Sequence, residues 1–287
     1  MDSIIKYKYS ILIVCISIII IYLYKKIYKK KIKPTELHDM PHFIERKSKD
    51  TPTIVSGVPL VIYESWHSNK IPIRMKDNIY KLINKNPEFD YYLFSDEKCR
   101  QFIEDNFTTD VVNAFDVLRP GAYKSDLWRY CVLYKNGGVY LDIKFYSIVP
   151  LINLLRTNPV IFVKDLDGKC LYNAFMASTP QNPIFKYCID SIIHSCKFKL
   201  YKSGSLHITG PCLLGKIVNE NNGKDYIKKL KFRHAYHIFT EKQILYNNEL
   251  VLQSYRAYSQ DQQMAEKIEH YSILWNRRQV YKNDTIF

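Results

Sequence analysis

The sequence predicts an α/β domain with a mixed, mainly parallel central sheet. Short apolar runs of strand length alternate with segments whose apolar residues recur at helical spacing, and Pro, Gly, Asn or Asp residues separate them. Ligands of such a sheet are expected beyond the carboxyl ends of its strands. At 287 residues the chain can bury a substantial core, as one large domain or two smaller ones. It contains no internal repeat and no low-complexity tract.

In chain order, the first element is the run Tyr9 to Tyr24, "YSILIVCISIIIIYLY", which carries no charge and is followed by lysines. It falls slightly short of the roughly 20 apolar residues of a relaxed membrane span, a deficit that lysine snorkelling and a thinner bilayer accommodate. The lysine-rich stretch "KKIYKKKIK" offers no small-residue cleavage site, so an uncleaved, single-pass anchor is expected over 9–24, after a short tail at 1–8. Residues 25–57 are polar and proline-punctuated and read as a basic stem, with the main domain over 58–287. The lysine flank after the anchor places that domain on the cytoplasmic side by the positive-inside rule. Orientation is left open.

The net charge of +14 is unevenly placed, for residues 1–33 hold eight lysines against one acid and so carry half of it. The remainder has only a mild excess, with no zinc-finger spacing, no RNP-like run and no basic helix interleaved with aromatics. No nucleic-acid partner is expected. Of seven cysteines, Cys15 lies in the apolar run. Cys99, Cys131, Cys170, Cys188, Cys196 and Cys212 show no CxxC spacing and read as buried thiols in preference to lumenal disulfides.

Within the domain, "PLVIYESW" (59–66) reads as a buried strand. Met75, Ile79, Leu82 and Ile83 then fall at helical spacing and stop before Pro87. "FDYYLFSD" is a second strand, whose Ser95 and Asp96 can cap the helix after it. A further helix is expected around 109–117. "NPVIFVKD" and "LYNAFMAS" are strands, "NPIFKYCIDSIIHSCKF" is a helix, and "GPCLLGKIVNEN" is another with Pro211 in its first turn. The last seventy residues suggest short aromatic-rich strands and a terminal helix.

The centre of the chain, "GAYKSDLWRYCVLYKNGGVYLDIK", combines the features with chemical content. Leu127, Cys131 and Tyr134 form an apolar helical stripe, and Asp126 and Arg129 are i,i+3 neighbours. Gly137 or Gly138 supplies the left-handed turn that ends the helix. In "VYLDIK", Val139, Leu141 and Ile143 alternate with Tyr140, Asp142 and Lys144, so one face enters the core and the other carries an acid and a base to the strand's end. Alone, these residues also fit a surface ion pair and an edge strand with solvated charges.

"AYKSDLWRYCVLYKNGGVYLDIK" resembles the sugar-binding region of glycosyltransferase family thirty-two, in which a helix bearing Asp-x-x-Arg, a Gly-Gly turn and Tyr-Leu-Asp-x-Asp follow one another. "PLVIYESWHSNKIPIRM" resembles that family's opening strand and "TGP" (209–211) a later segment, so the likeness covers roughly Pro59 to Gly215. It implies a nucleotide-diphosphosugar transferase fold of the GT-A type. It also implies transfer of a hexose from a UDP- or GDP-linked donor, with retention of configuration, to a glycan, glycolipid or glycoprotein. By analogy with the family, the anchor would be of the Golgi or ER type II kind.

Carried over residue by residue, the resemblance makes Trp66 a platform for the nucleotide base and places Tyr123 and Trp275 among the donor-binding residues. Asp126 would accept hydrogen bonds from donor hydroxyls, Arg129 would orient it or approach the phosphate, and Asp142 would be the first acid of the motif. Asn173 stands where an acceptor contact is expected. Lys144 departs from the pattern, since the second acid normally binds Mn²⁺ or Mg²⁺ and an ammonium cannot. Either Lys144 itself supplies charge to the leaving diphosphate, or a metal is retained by Asp142 with C-terminal ligands drawn from His270, Ser272 and Asn276. The literal Asp165-Leu166-Asp167 lacks the preceding Gly-Gly strand and reads as an ordinary Asp-Gly turn. The rival reading is a catalytically inactive, membrane-tethered carbohydrate- or nucleotide-binding protein.

Overall fold

The computed structural model describes Ser17, Ile19 and residues 36–156, 158–166, 168–221, 230–234, 242–265 and 269–283. The expected anchor, apart from Ser17 and Ile19, lies outside the described residues, as do the tail and the lysine-rich start of the stem. No helix among the described residues is long and apolar enough to cross a membrane.

Strands already precede the expected start of the domain at residue 58, beginning with β1 (Leu37–Asp39) and β2 (Phe43–Ile44). They are followed by β3 (Ile54–Val55), β4 (Val58–Pro59), β5 (Val61–Ser65), β6 (Lys70–Pro72), α1 (Ile73–Lys85), β7 (Asp90–Phe94), α2 (Asp96–Asn106), α3 (Thr109–Val117) and α4 (Gly121–Asn136). The central part continues with β8 (Gly138–Leu141), β9 (Phe145–Ser147), α5 (Leu151–Leu155), β10 (Val160–Lys164), β11 (Leu171–Ser178), α6 (Pro183–Lys197) and α7 (Pro211–Glu220). The last elements are β12 (Leu230–His234), β13 (Lys242–Tyr246), β14 (Glu249–Ser254), α8 (Tyr258–Ala265) and α9 (Tyr271–Asn276). The stem expectation therefore holds only in part. β1 pairs with β6, β2 pairs with β7, and Met40 is buried, so residues from Leu37 onward are packed into the domain through apolar contacts that a polar composition conceals.

One sheet has ten strands in the order β2-β7-β5-β8-β11-β10-β12-β13-β14-β9. It is mixed rather than mainly parallel. Among the described residues only the β5–β7, β5–β8 and β10–β12 pairings are parallel. The connections explain part of the difference, because β5, β7 and β8 are joined through helices, whereas β10–β11 and β13–β14 are joined by short returns that only antiparallel pairs can use; β8–β11 and β9–β14 pair antiparallel across long separations. The β13–β14 return runs through Asn247 and Asn248, both at positive φ, as a tight hairpin requires.

The sheet separates two apolar layers. Helices α2, α3, α4, α6 and α7 cover one face, and α1 and α5 cover the other. In β8, Val139 and Leu141 enter the second layer and Tyr140 the first, so the strand is buried on both faces. Full burial of each such side chain contributes about 1.5–3 kcal/mol. Both central glycines sit at positive φ, and a Cβ on Gly137 would lie 2.7 Å from Pro180. The turn from α4 into β8 thus has room for glycine alone.

The cysteines divide. Cys99, Cys131, Cys188 and Cys196 are buried thiols, as expected, but Cys170 and Cys212 form a disulfide between the start of β11 and the start of α7. Sequence spacing gives no hint of this pair, which lies 42 residues apart and meets only through the fold.

Candidate functional site

β5 is flanked on both sides by parallel strands, with the chain passing from β5 to β7 on one side and then from β7 back across to β8 on the other, and a crevice opens outside the carboxyl ends of β5 and β8. A cleft of about 330 Å³ lies there. Ser65, Trp66 and His67 reach it from β5, and Asp142, Ile143 and Lys144 from β8. Because β11 runs antiparallel to β8, its first residues Tyr172, Asn173 and Ala174 arrive at the same end.

Two carboxylates are held in the floor by one guanidinium. Arg129 Nη2 lies 3.4 Å from Asp126 Oδ1, and Arg129 Nη1 lies 3.3 Å from Asp142 Oδ1. The same guanidinium donates to the Asn173 carbonyl (2.9 Å) and Ser125 Oγ (2.8 Å), and it stacks 4.3 Å from the Tyr140 ring centre. Asp126 also accepts from Asn173 Nδ2 (2.9 Å) and Thr209 Oγ1 (2.8 Å). Asp142 Oδ1 accepts from the Tyr140 hydroxyl at 2.8 Å, while Oδ2 accepts from the Lys144 ammonium. Beyond its carboxylate, the Asp142 amide still donates to the Ala174 carbonyl at 2.8 Å, fixing the chain as it leaves β8.

The charges respond to this packing. Burial pushes the Asp126 carboxyl up, and the opposing pull of Arg129, Thr209 and Asn173 does not fully reverse it. Burial also acts upward on Asp142, but Lys144 and Arg129 outweigh it and hold that carboxyl below its ordinary range. Asp142 is therefore an anion at neutral pH. Lys242, from β13, also lines the cleft, and burial together with the charge of Lys144 brings its ammonium down to about 8.

The structure thus gathers Trp66, Tyr123, Asp126, Arg129, Asp142, Lys144, Asn173 and His270 around one cleft. Trp66 is only 5% exposed. Tyr123 is buried, donates to the Ser205 carbonyl and packs its ring 5.8 Å from that of Tyr271. Asn173 serves Asp126 and Tyr130 directly. Trp275, Ser272 and Asn276 do not line the cleft. Trp275 donates instead to the Tyr201 carbonyl at 2.8 Å, and Ser272 pairs with His270 Nδ1 at 2.8 Å at the start of α9. Asp165 accepts from the Leu166 amide and Gly168 follows at positive φ, as in an ordinary turn. Asp167 lies outside the described residues.

A divalent cation does not fit this donor set. Mn²⁺ and Mg²⁺ need several free oxygen ligands. The Asp142 oxygens are already engaged by Tyr140, Arg129 and Lys144, and no group of three His, Cys, Asp or Glu side chains suited to a metal occurs among the described residues. Tyr140, Ser125, Thr209, Tyr172 and Lys242 were not singled out by sequence as site residues. Thr209 lies in the quoted "TGP" segment, whereas nothing local marks Lys242.

Comparison with known proteins agrees with the geometry. Residues 72–161, which contain α4 and β8, match the model of the glycosyltransferase sugar-binding region containing DXD motif. The chain is 29% identical over 164 residues to inositol phosphoceramide mannosyltransferase 2 of Schizosaccharomyces pombe, covering 54% of this chain and 47% of that protein. It is 25% identical over 154 residues to mannosyl phosphorylinositol ceramide synthase SUR1 of Saccharomyces cerevisiae, covering 54% and 40%. It is 30% identical over 83 residues to the initiation-specific alpha-1,6-mannosyltransferase of Candida albicans, covering 28% and 22%. The matches span about half the length of these relatives or less. Residues 72–161 are thus similar to the glycosyltransferase sugar-binding region containing DXD motif, and the relatives that share the likeness are mannosyltransferases by name.

Proposed function

We propose that this protein is a membrane-anchored, retaining hexosyltransferase of GT-A type, which moves a hexose from a UDP- or GDP-linked donor to a glycan, glycolipid or glycoprotein. The observation that carries the reading is the single guanidinium of Arg129 joining Asp126 and Asp142 at the carboxyl ends of β5 and β8. The names of the relatives favour mannose as the hexose and a phosphate-bearing lipid as the acceptor.

In this reading Asp126 and Asp142 accept hydrogen bonds from donor hydroxyls, and Arg129 holds both acids in register. Trp66 offers the base the small part of its ring that reaches the cleft, and Tyr123 and Asn173 shape the wall. The sugar C1–O bond to the diphosphate breaks with its electron pair passing to the diphosphate oxygen. The acceptor oxygen bonds C1 on the same face, and its proton passes to the leaving phosphate. The protein contributes position and fixed charge, which suffice for large accelerations when the geometry is preorganised. The Mn²⁺ or Mg²⁺ common to the motif enters no step, because the donor set does not fit it.

The Lys144–Asp142 pair favours one rival, an inactive protein that binds nucleotide sugars without turning them over. Incubating the full chain with UDP- and GDP-sugars, with and without lipid and glycan acceptors, separates the two. Release of nucleoside diphosphate supports transfer, and donor binding without release under every acceptor condition supports the rival.

A further inference from the structure

Lys144, at the position of the motif's second acid, and Lys242, from β13, line the same cleft at the end of the sheet formed by β9, β14 and β13. Lys144 follows Asp142 by two residues, has an 8% exposed side chain and donates to Asp142 Oδ2. Its ammonium lies 5.3, 5.5 and 5.7 Å from the ring centres of Phe145, Tyr172 and Tyr258. A cation bonded to a carboxylate and walled by three rings is a fixed part of the cleft, not a side chain that swings in solvent.

Lys242 reaches the cleft from β13, with its backbone tied by a 2.7 Å bond from its amide to Ser254 Oγ. Its ammonium makes no hydrogen bond among the described residues. It feels the repulsion of Lys144 and the attraction of Asp142 and of Asp165. The other charges nearby are already engaged, since Arg129 is shared by Asp126 and Asp142, and Lys144 is held by Asp142. Lys242 is thus a half-buried cation that lacks a bonded anion among the described residues, beside a second fixed cation. The opening residues of α4, Gly121 and Ala122, line the same cleft with no side chain capping the helix. Helix starts of this kind also favour anions.

We infer that Lys242, acting with Lys144, binds the donor's diphosphate and takes up the charge that develops on it, in the place of a divalent cation. The inference rests on the transferase reading and deepens it. The two ammonium groups act as fixed positive ends at the leaving oxygen, present before reaction begins. Lys144 keeps Asp142 ionised as well, so one residue serves both the sugar-binding acid and the leaving group.

The test measures UDP and GDP binding to the full chain by calorimetry, in EDTA and in Mn²⁺, with uridine and guanosine as controls. The expected result is diphosphate affinity that changes less than about threefold between EDTA and Mn²⁺. Lys242→Met should weaken diphosphate binding by about tenfold or more, without changing nucleoside binding, and Lys242→Arg should restore most of it. Lys144→Asp, which recreates the second acid, should make diphosphate binding depend on Mn²⁺. Wild-type binding that vanishes in EDTA overturns the inference and leaves the transferase reading standing, as does unchanged affinity in a folded Lys242→Met protein. Absence of diphosphate binding under all conditions overturns both.

Discussion

The Lys144 ammonium donates to Asp142 Oδ2, two residues before it on the chain leaving β8. The strand expected through Lys144 ends at Leu141, and Ile143 and Lys144 instead form a turn closed by the Phe145 amide donating to the Asp142 carbonyl at 2.9 Å, so the pair forms locally and needs no distant element to assemble it. Its effect reaches further. With Arg129 it keeps the buried Asp142 carboxyl ionised, so this contribution to stability is present above the ordinary carboxylate range and is lost as pH falls through the depressed value.

Arg129 joins two acids, and its loss should be felt by the whole domain. Arg129→Ala leaves Asp126 and Asp142 without their shared partner and is expected to cost about 3–5 kcal/mol in urea denaturation. Arg129→Lys should recover only part, since one ammonium cannot reproduce contacts to Asp126, Asp142, Ser125 and the Asn173 carbonyl. A Lys variant as stable as wild type would contradict the bridging role.

Glu64 should impose a pH dependence on stability. It is fully buried, and burial pushes its carboxyl up to about 8 against the lowering effect of the 2.6 Å bond from the Tyr91 hydroxyl, with Asp142 adding to the rise. The folded state therefore holds a proton that the unfolded state releases above its ordinary value. Stability from this group is complete below about 4.5 and declines by about 1.4 kcal/mol per pH unit up to about 8. Denaturation at pH 5 and pH 8 should show wild type losing roughly 3 kcal/mol more than Glu64→Gln over that range. Equal losses would refute the assignment.

Gly137 and Gly168 both have positive φ, but only the first is crowded. A Cβ at Gly137 meets Pro180 at 2.7 Å, whereas one at Gly168 meets nothing within 4 Å. Gly137→Ala is expected to destabilise by about 1–3 kcal/mol, and more than Gly168→Ala, which bears the backbone penalty alone. Parallel urea melts of the two variants measure the difference.

Reduction of the Cys170–Cys212 bridge releases a closed loop of 42-residue separation, worth about 4 kcal/mol in the chain-entropy model. The bridge also anchors the segment just after Thr209, which donates to Asp126. Dithiothreitol should lower the melting temperature and slow donor turnover, and a Cys170→Ala/Cys212→Ala variant should match the reduced protein. No change in either quantity would show the bridge to be dispensable.

The sequence signals for the central site were local, and the structure keeps them. Asp126, Arg129, the glycine turn, Asp142 and Lys144 lie within nineteen consecutive positions, where helical and strand periodicity fix which side chains share a face. The remaining features depend on long-range closure. Lys242 enters from a hairpin whose place in the sheet no local pattern marks, and Thr209 is brought to Asp126 from 83 residues away. The antiparallel half of the sheet escaped notice because buried strand runs look alike in either direction. Trp275 is the converse case: expected to close over the diphosphate or else to pack from a terminal helix, it donates its indole N–H to the Tyr201 carbonyl and does not line the cleft.

The most direct test of the central claim is the hydrolysis of GDP-mannose and of a panel of UDP- and GDP-sugars by the full chain, wild type against Asp142→Asn. Asparagine keeps the shape but removes the charge that Lys144 and Arg129 hold. Turnover by wild type, reduced about 100-fold or more in the variant while the fold is retained, is the expected result. Asp142→Asn turning over its donor like wild type would contradict the assignment of this cleft as the sugar-transfer site.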